Sequence, residues 1–159
     1  MYPYTLVPEN LFSEDQEHKI LSDAVHFEET ASVYHKELPG FKAVLVYASP
    51  SRVRMPLIAV LLDRASQMCG DAAKRKSSIP RAVFAWDGEL VHIVLTSGSD
   101  LLLANTYPAR EAVTALYFLL SASAACGVKL GDVEWYHYGA LAKDLRDELG
   151  RQGKKIHQL

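Results

Sequence analysis

The residues best suited to chemistry lie in one short turn, where Asp87 and Gly88 follow the apolar segment Arg81 to Trp86. An Asp at the end of a strand can lie near metal-bound water, and successive backbone N–H groups beside a glycine can hold a phosphate. No Ser, Thr or second glycine follows to help hold the anion, and Glu89 would repel it. We therefore predict a plain hairpin turn of type I′ at this point rather than a phosphate loop.

A metal-dependent nuclease is a second chemistry to consider, because three acids could supply it: Asp87, Glu111 and Glu134. Two-metal hydrolysis needs carboxylates on a first strand, a helix and a fourth strand, close enough to share the ions. The segment Arg81 to Trp86 has no acid within it, and Glu111 falls in the first turn of a predicted helix, where it favours the helix dipole. The sequence therefore favours other functions over nuclease activity.

Histidine chemistry is weakly represented in the chain. His92 and His137 lie on separate predicted strands and could approach each other and Asp87, but no ligand spacing typical of zinc connects them. No serine occupies a Gly-x-Ser-x-Gly elbow. We predict no metal site and no catalytic residue.

Aromatic residues are dense in the C-terminal half, and Tyr and Trp are common anchors of protein interfaces. Strand alternation places Trp135 and His137 on one face of a strand, with Tyr136 on the other. Our candidate interface residues are Trp86, Tyr117, Trp135 and Tyr136. We expect binding to a protein partner or self-association.

The elements that must position these residues form a recognisable order between Arg81 and Gly139. Three apolar segments separated by turns predict a strand meander, Pro108 and Gly127 bound a long helix, and residues 132–138 form the next strand. Residues 140–149 form an amphipathic closing helix. This β-β-β-α-β-α order predicts an α/β fold with a mixed sheet, of the ribonuclease H-like and actin-like ATPase type.

The first half of the chain predicts a partial α/β segment. Strands are expected at residues 4–7, 31–38 and 42–48, with a helix opened by Ser13 and a second helix from Pro56 to Met68. Residues 70–78 are typical of a linker. We therefore divide the chain into a partial segment (residues 1–70), a lobe (79–150) and a flexible basic tail (151–159).

Composition limits the remaining classes of function. The chain has 159 residues and a formal net charge of -2, which disfavours nucleic-acid binding. It contains no apolar run long enough to span a membrane and no recognisable signal peptide. Cys69 and Cys126 lack a partner motif, so we expect reduced thiols and a cytoplasmic protein.

Three phrases of the chain resemble a family of uncharacterised bacterial proteins assigned to the actin-like ATPase superfamily. They are YTLVPENLF at residue 4, KAVLVYASP at residue 42 and LLLANTYPAREAVTALYFLL at residue 101. Relatives in that family are longer, with a lobe before the first phrase, so this chain resembles mainly their C-terminal lobe.

The resemblance implies two alternatives for function. Actin-type ATPases bind nucleotide between two lobes, so ATP with magnesium would contact Asp87, Gly88 and Gly139 only if a second chain completed the cleft. Active members carry a Ser or Thr after the first glycine of the turn, which is missing here. We therefore favour a non-catalytic interaction or assembly module with no cofactor, and keep the nucleotide-binding ATPase as the alternative.

Overall fold

Two β-sheets and four α-helices make up the fold in the computed structural model, which describes residues 2–28, 30–50 and 54–159. The elements run in the order β1 (Tyr4–Pro8), α1 (Glu17–Ala24), β2 (Ser32–Leu38), β3 (Ala43–Ser49), α2 (Leu57–Lys74), β4 (Pro80–Trp86), β5 (Leu90–Ser97), β6 (Asp100–Pro108), α3 (Ala112–Ala125), β7 (Glu134–His137), α4 (Lys143–Arg151) and β8 (Ile156–Gln158).

The first sheet is antiparallel, with β3 between β1 and β2. Its central strand is a continuous apolar run, as expected for a strand buried on both faces. Val44 and Val46 face α1, while Leu45 and Tyr47 face α2. This sheet therefore joins the two helices of the first half into one packed unit.

The second sheet has the strand order β6-β5-β4-β7-β8. Strands β4, β5 and β6 form an antiparallel meander, while β7 runs parallel to β4 and β8 parallel to β7. The mixed sheet and the β-β-β-α-β-α order confirm the predicted fold class.

Both faces of the second sheet are covered. Phe84, Ile93 and Trp135 pack towards α3 and α4, which form one layer. Val83 and Val94 point the other way and pack against α2 and the first sheet. None of the helices described is long and apolar enough to cross a membrane.

Several boundaries differ from the sequence predictions. Pro108 is the last residue of β6 instead of the first of a helix, and α3 begins at Ala112. Ser13 opens a 3₁₀ turn without capping it by its side chain, and α1 begins only at Glu17. Helix α2 continues to Lys74 through half of the predicted linker, and this extension begins with the buried Cys69. Residues 151–159, expected to be a flexible tail, instead contain β8, which pairs with β7 and places Ile156 against the core.

Candidate functional site

The turn between β4 and β5 is held together by the side chain of Asp87. One carboxylate oxygen, Oδ1, accepts hydrogen bonds from the backbone N–H groups of Glu89 (2.9 Å) and Leu90 (2.7 Å). Gly88 has a φ of +93°, whereas Glu89 does not adopt positive φ. The predicted hairpin is therefore confirmed, but type I′ is wrong, because that turn needs positive φ at both central residues.

The carboxylate of Asp87 is stabilised in its charged form. Burial alone would raise its pKa, but the hydrogen bonds from the Leu90 and Glu89 amides and the nearby His92 outweigh that effect and hold the pKa below its usual range. The two amides that could bind a phosphate are thus already bound to an anion of the chain itself. A phosphate at this turn would have to displace Asp87.

A small cleft of about 150 Å³ lies beside this turn, where α2 begins. Asp87, His92 and Thr106 contribute its polar lining, and Leu57 and Ile58 of the first turn of α2 contribute part of its wall. His92 Nδ1 lies 2.8 Å from Thr106 Oγ1. Burial lowers the pKa of His92, partly opposed by Asp87, so the imidazole is neutral near pH 7.

The contact between His92 and Thr106 was not predicted from the sequence. If β5 and β6 paired regularly from the turn, with Ser97 opposite Asp100, His92 would lie opposite Asn105. An irregularity in the pairing near Leu95 shifts the register by one residue, and this shift brings Thr106 opposite His92 instead. Nothing in the residue types marks that shift.

Gly139 lies at the same sheet edge as Asp87, because β4 and β7 are parallel neighbours with Phe84 opposite His137. Its φ is +79°, as the predicted tight turn requires. The carbonyl oxygen of Gly139 accepts hydrogen bonds from Nδ1 of His137 (3.0 Å) and from the Gln158 side chain. The structure therefore brings the three predicted nucleotide-contacting residues to one edge, with the Gly139 carbonyl already hydrogen-bonded within the chain.

The three acids proposed for a nuclease do not meet. Glu134 pairs with Arg81 at the opposite end of β4 from Asp87, with 3.1 Å between Glu134 Oε2 and Arg81 Nε. Six residues of extended strand separate the two ends by about 20 Å, far more than the roughly 4 Å between two catalytic metal ions. The described part of the chain holds no group of three or more metal-ligating His, Cys, Asp or Glu side chains.

The two histidines considered for a metal site lie on opposite faces of the second sheet. His92 pairs with Ala85, which faces α2, and His137 pairs with Phe84, which faces α3 and α4. The sheet itself therefore separates the two rings.

The four predicted interface aromatics have different environments. Trp135 is only 1% exposed and packs in the core, so its interface assignment is corrected: it has no surface to offer a partner. Trp86 is half-buried, and its Nε1 donates to the Ala109 carbonyl at 2.7 Å. Tyr136 donates its hydroxyl hydrogen to Glu134 at 2.9 Å. Tyr117 alone among the four is largely exposed, at 63%.

Helix α3 presents an uncharged outer face made of Val113, Tyr117, Ser121 and Ala124, all exposed. Val113 is 57% exposed, and the whole helix contains no charged residue. The Tyr117 ring contacts that of Phe118 edge-on at 5.4 Å, which restrains its orientation. Surface helices of folded proteins usually carry charges on the side that faces water. This face is therefore the clearest candidate for contact with another protein.

Comparisons with known proteins agree with this fold. The family described as "Protein of unknown function (DUF3822)" matches residues 2–155. The chain is also similar to a crystal structure from Bacteroides thetaiotaomicron VPI-5482, described as a protein with an actin-like ATPase fold and unknown function, with a TM-score of 0.68 and 16% identity. That similarity covers 99% of this chain and 65% of the Bacteroides chain, and it confirms the predicted fold. None of the curated proteins compared with the chain matches it.

Proposed function

We propose that this protein, which belongs to the DUF3822 family of proteins of unknown function, is a non-catalytic interaction module that associates with a second copy of itself. The outer face of α3 is the observation that carries the proposal. Tyr117 and Val113 lie one helical turn apart, and burying both rewards association at roughly 25 cal/mol per Å² of apolar surface. Exposed Tyr residues with a restrained ring are typical anchors of interfaces.

A second copy fits this face because large and small residues divide along it. Val113 and Tyr117 lie in the first half of α3, and Ser121 and Ala124 in the second half. When two copies of α3 pair antiparallel about Tyr117, each Val113 lies opposite a Ser121 of the other copy. Because a two-fold axis relates the two copies, this contact between Val113 and Ser121 occurs twice in the dimer. The dipoles of antiparallel helices also attract each other. The pairing buries no charged side chain, because α3 contains none.

The size of the face sets the expected strength. A helix of 14 residues is about 21 Å long. Two such helices bury less than the roughly 800 Å² per partner of a stable interface. We therefore expect a weak, concentration-dependent dimer.

The absence of catalysis is also part of this proposal. It is supported by the Asp87 carboxylate, which binds the amides of its own turn, and by the separation of Glu134 from Asp87. We further propose a cytoplasmic location without a nucleic-acid partner. The free thiols of Cys69 and Cys126 and the net charge of -2 support those statements.

Sedimentation equilibrium tests the association. The mass of the wild-type protein should rise from that of a monomer towards that of a dimer as the concentration increases. Tyr117→Lys should remain a monomer, because the lysines of the two copies would face and repel each other at the two-fold axis. Leu11→Lys is the matched control: Leu11 is 68% exposed on a different part of the surface, and the variant should associate like wild type. A monomeric wild type, or an unchanged mass for Tyr117→Lys, contradicts the proposal.

Nucleotide binding is the second candidate function. Its support is that Asp87, Gly88 and Gly139 lie at one sheet edge beside the cleft where α2 begins. The cleft, at about 150 Å³, is smaller than the roughly 300 Å³ at the low end for ligand sites. A nucleotide would therefore need a wall from a second chain.

Thermal unfolding with and without magnesium and ATP separates the two functions. A ligand at 100 times its Kd stabilises a protein by about 2.7 kcal/mol, which at this size raises the melting temperature by about 5–10 °C. Nucleotide binding through a magnesium ion held by the Asp87 carboxylate predicts that shift in the wild type and its loss in Asp87→Ala. The non-catalytic proposal predicts no shift in either protein.

A further inference from the structure

Two polar atoms in the core of the C-terminal half lack a hydrogen-bond partner among the described residues: Nε1 of Trp135 and Nε2 of His137. Each residue is 1% exposed, and both point to the same face of β7, as the alternating burial of that strand shows. Buried polar groups in folded proteins nearly always have a partner, either protein or ordered water. A pair of unpartnered atoms two residues apart therefore calls for an explanation.

The chemistry of the two atoms is complementary. His137 Nδ1 lies 3.0 Å from the carbonyl oxygen of Gly139, and a carbonyl can only accept, so Nδ1 carries the hydrogen. Burial lowers the pKa of His137. The hydrogen bond to Gly139 partly opposes this effect and Arg146 adds to it, so the ring is neutral near pH 7. Nε2 is then a bare acceptor, while Nε1 of Trp135 can only donate.

The two side chains are neighbours on one face of β7 and share a contact with Phe84. Residues two apart on a strand have side chains about 6.6 Å apart at their bases. The ring of Phe84 contacts both side chains edge-on, with ring centroids 6.1 Å from Trp135 and 5.0 Å from His137. A water molecule hydrogen-bonded to two nitrogens spans up to about 5.8 Å between them, so the bridge requires the two ring nitrogens to lie closer together than the bases of the side chains.

We propose that one water molecule is bound in the core between Trp135 and His137, accepting a hydrogen bond from Nε1 of Trp135 and donating one to Nε2 of His137. Two hydrogen-bond partners are the minimum that a buried water needs. The water joins the two residues into one unit with Gly139. It fixes the orientation of both rings on β7.

Nuclear magnetic resonance on the ¹⁵N-labelled wild type tests this directly. The chain has two tryptophans, and Trp86 serves as the internal control because its Nε1 donates to the Ala109 carbonyl. The indole hydrogen of Trp135 should show cross-relaxation to a long-lived water, and that of Trp86 should not. A direct hydrogen bond between Trp135 and His137, or a Trp135 signal without water contact, would overturn the proposal.

Stability of variants gives an independent test, with Trp135→Phe, His137→Phe and the double variant. If the water is present, each single change leaves one atom unpaired and lowers the folding equilibrium constant by about 5- to 100-fold. The double variant then loses less than the product of the two single losses, because no unpaired atom remains. If the site is dry, the single variants lose only core packing and the Nδ1 bond to Gly139, and these losses are independent, so the double variant would lose the full product of the two single losses.

Discussion

Removal of the Asp87 carboxylate is expected to weaken the fold, because this side chain holds the β4–β5 turn. In Asp87→Ala, the amides of Glu89 and Leu90 lose acceptors at 2.9 Å and 2.7 Å. The arrangement resembles a helix N-cap, where the same kind of change costs typically about 1 kcal/mol and up to about 2 kcal/mol. Because water replaces part of the lost bonding at this exposed turn, we expect a loss of about 1–2 kcal/mol.

The corresponding change is measurable by thermal unfolding followed by circular dichroism. For a chain of this size each kcal/mol shifts the melting temperature by about 2–4 °C, so the expected decrease is about 2–8 °C. Asp87→Asn keeps one acceptor oxygen and should lose less than Asp87→Ala. It is therefore the matched control for the loss of charge alone.

Acid provides a second check on the same residue. The pKa of Asp87 is lower in the folded protein than in the unfolded chain, so its contribution is complete above the unfolded pKa and is lost as the pH falls through the folded pKa. The gap in stability between wild type and Asp87→Ala should therefore close in acid, below about pH 4. An Asp87→Ala protein as stable as wild type, or more stable, would refute this account, since removal of a catalytic carboxylate commonly has that effect.

Three other substitutions test the packing and the buried histidines. Gly40→Ala should destabilise the fold, because a Cβ at residue 40 would lie 1.9 Å from the backbone oxygen of Ser66 in α2. A Cβ at Gly70 meets no atom, so Gly70→Ala should stabilise the helix by about 0.5–1 kcal/mol. Urea unfolding that ranks the two variants in the opposite order refutes this packing. The pKa values of His92 and His137 are lowered by burial, so the free energy of unfolding should fall as the pH drops below the unfolded value of 6.5. His137→Phe should flatten that pH dependence, and a profile as steep as wild type would show that His137 does not cause it.

Much of the second sheet could be predicted from the sequence because its signals are local. Apolar runs separated by turn residues predict the strand meander, and Gly127 marks the end of the helix that follows it. The predicted start of that helix at Pro108 is wrong, because Pro108 ends β6 and α3 begins at Ala112. Gly127 does adopt positive φ directly after α3, as a helix C-terminus requires. The fold class follows from that order of elements alone.

The elements that were mispredicted depend on contacts distant in sequence. Residues 156–158 have no strong strand pattern, and β8 forms because β7 offers an unpaired edge that hydrogen-bonds the incoming chain. Helix α2 passes Gly70, a residue that weakens helices, and the buried Cys69 just before it has a side-chain hydrogen bond with Thr96 of β5. Local propensity carries no information about either neighbour.

The candidate sites show the same limit. Residue type identified Tyr117 and Trp135 equally as interface aromatics, but only the packing of α3 and β7 distinguishes an exposed ring from a buried one. The Asp87 turn was located correctly because Asp-Gly is a strong local signal. That the carboxylate occupies the turn amides could be seen only from the geometry of the side chain.

A disulfide between two copies of α3 tests the proposed self-association most directly. Residues 113 and 121 are about 12 Å apart along one helix, too far for a disulfide within a chain. In a protein carrying Val113→Cys and Ser121→Cys, with Cys126→Ser to remove the more accessible native thiol, mild oxidation should give a dimer linked between residue 113 of one copy and residue 121 of the other. A protein that stays monomeric under these conditions, or that links 113 only to 113, contradicts the antiparallel α3 interface.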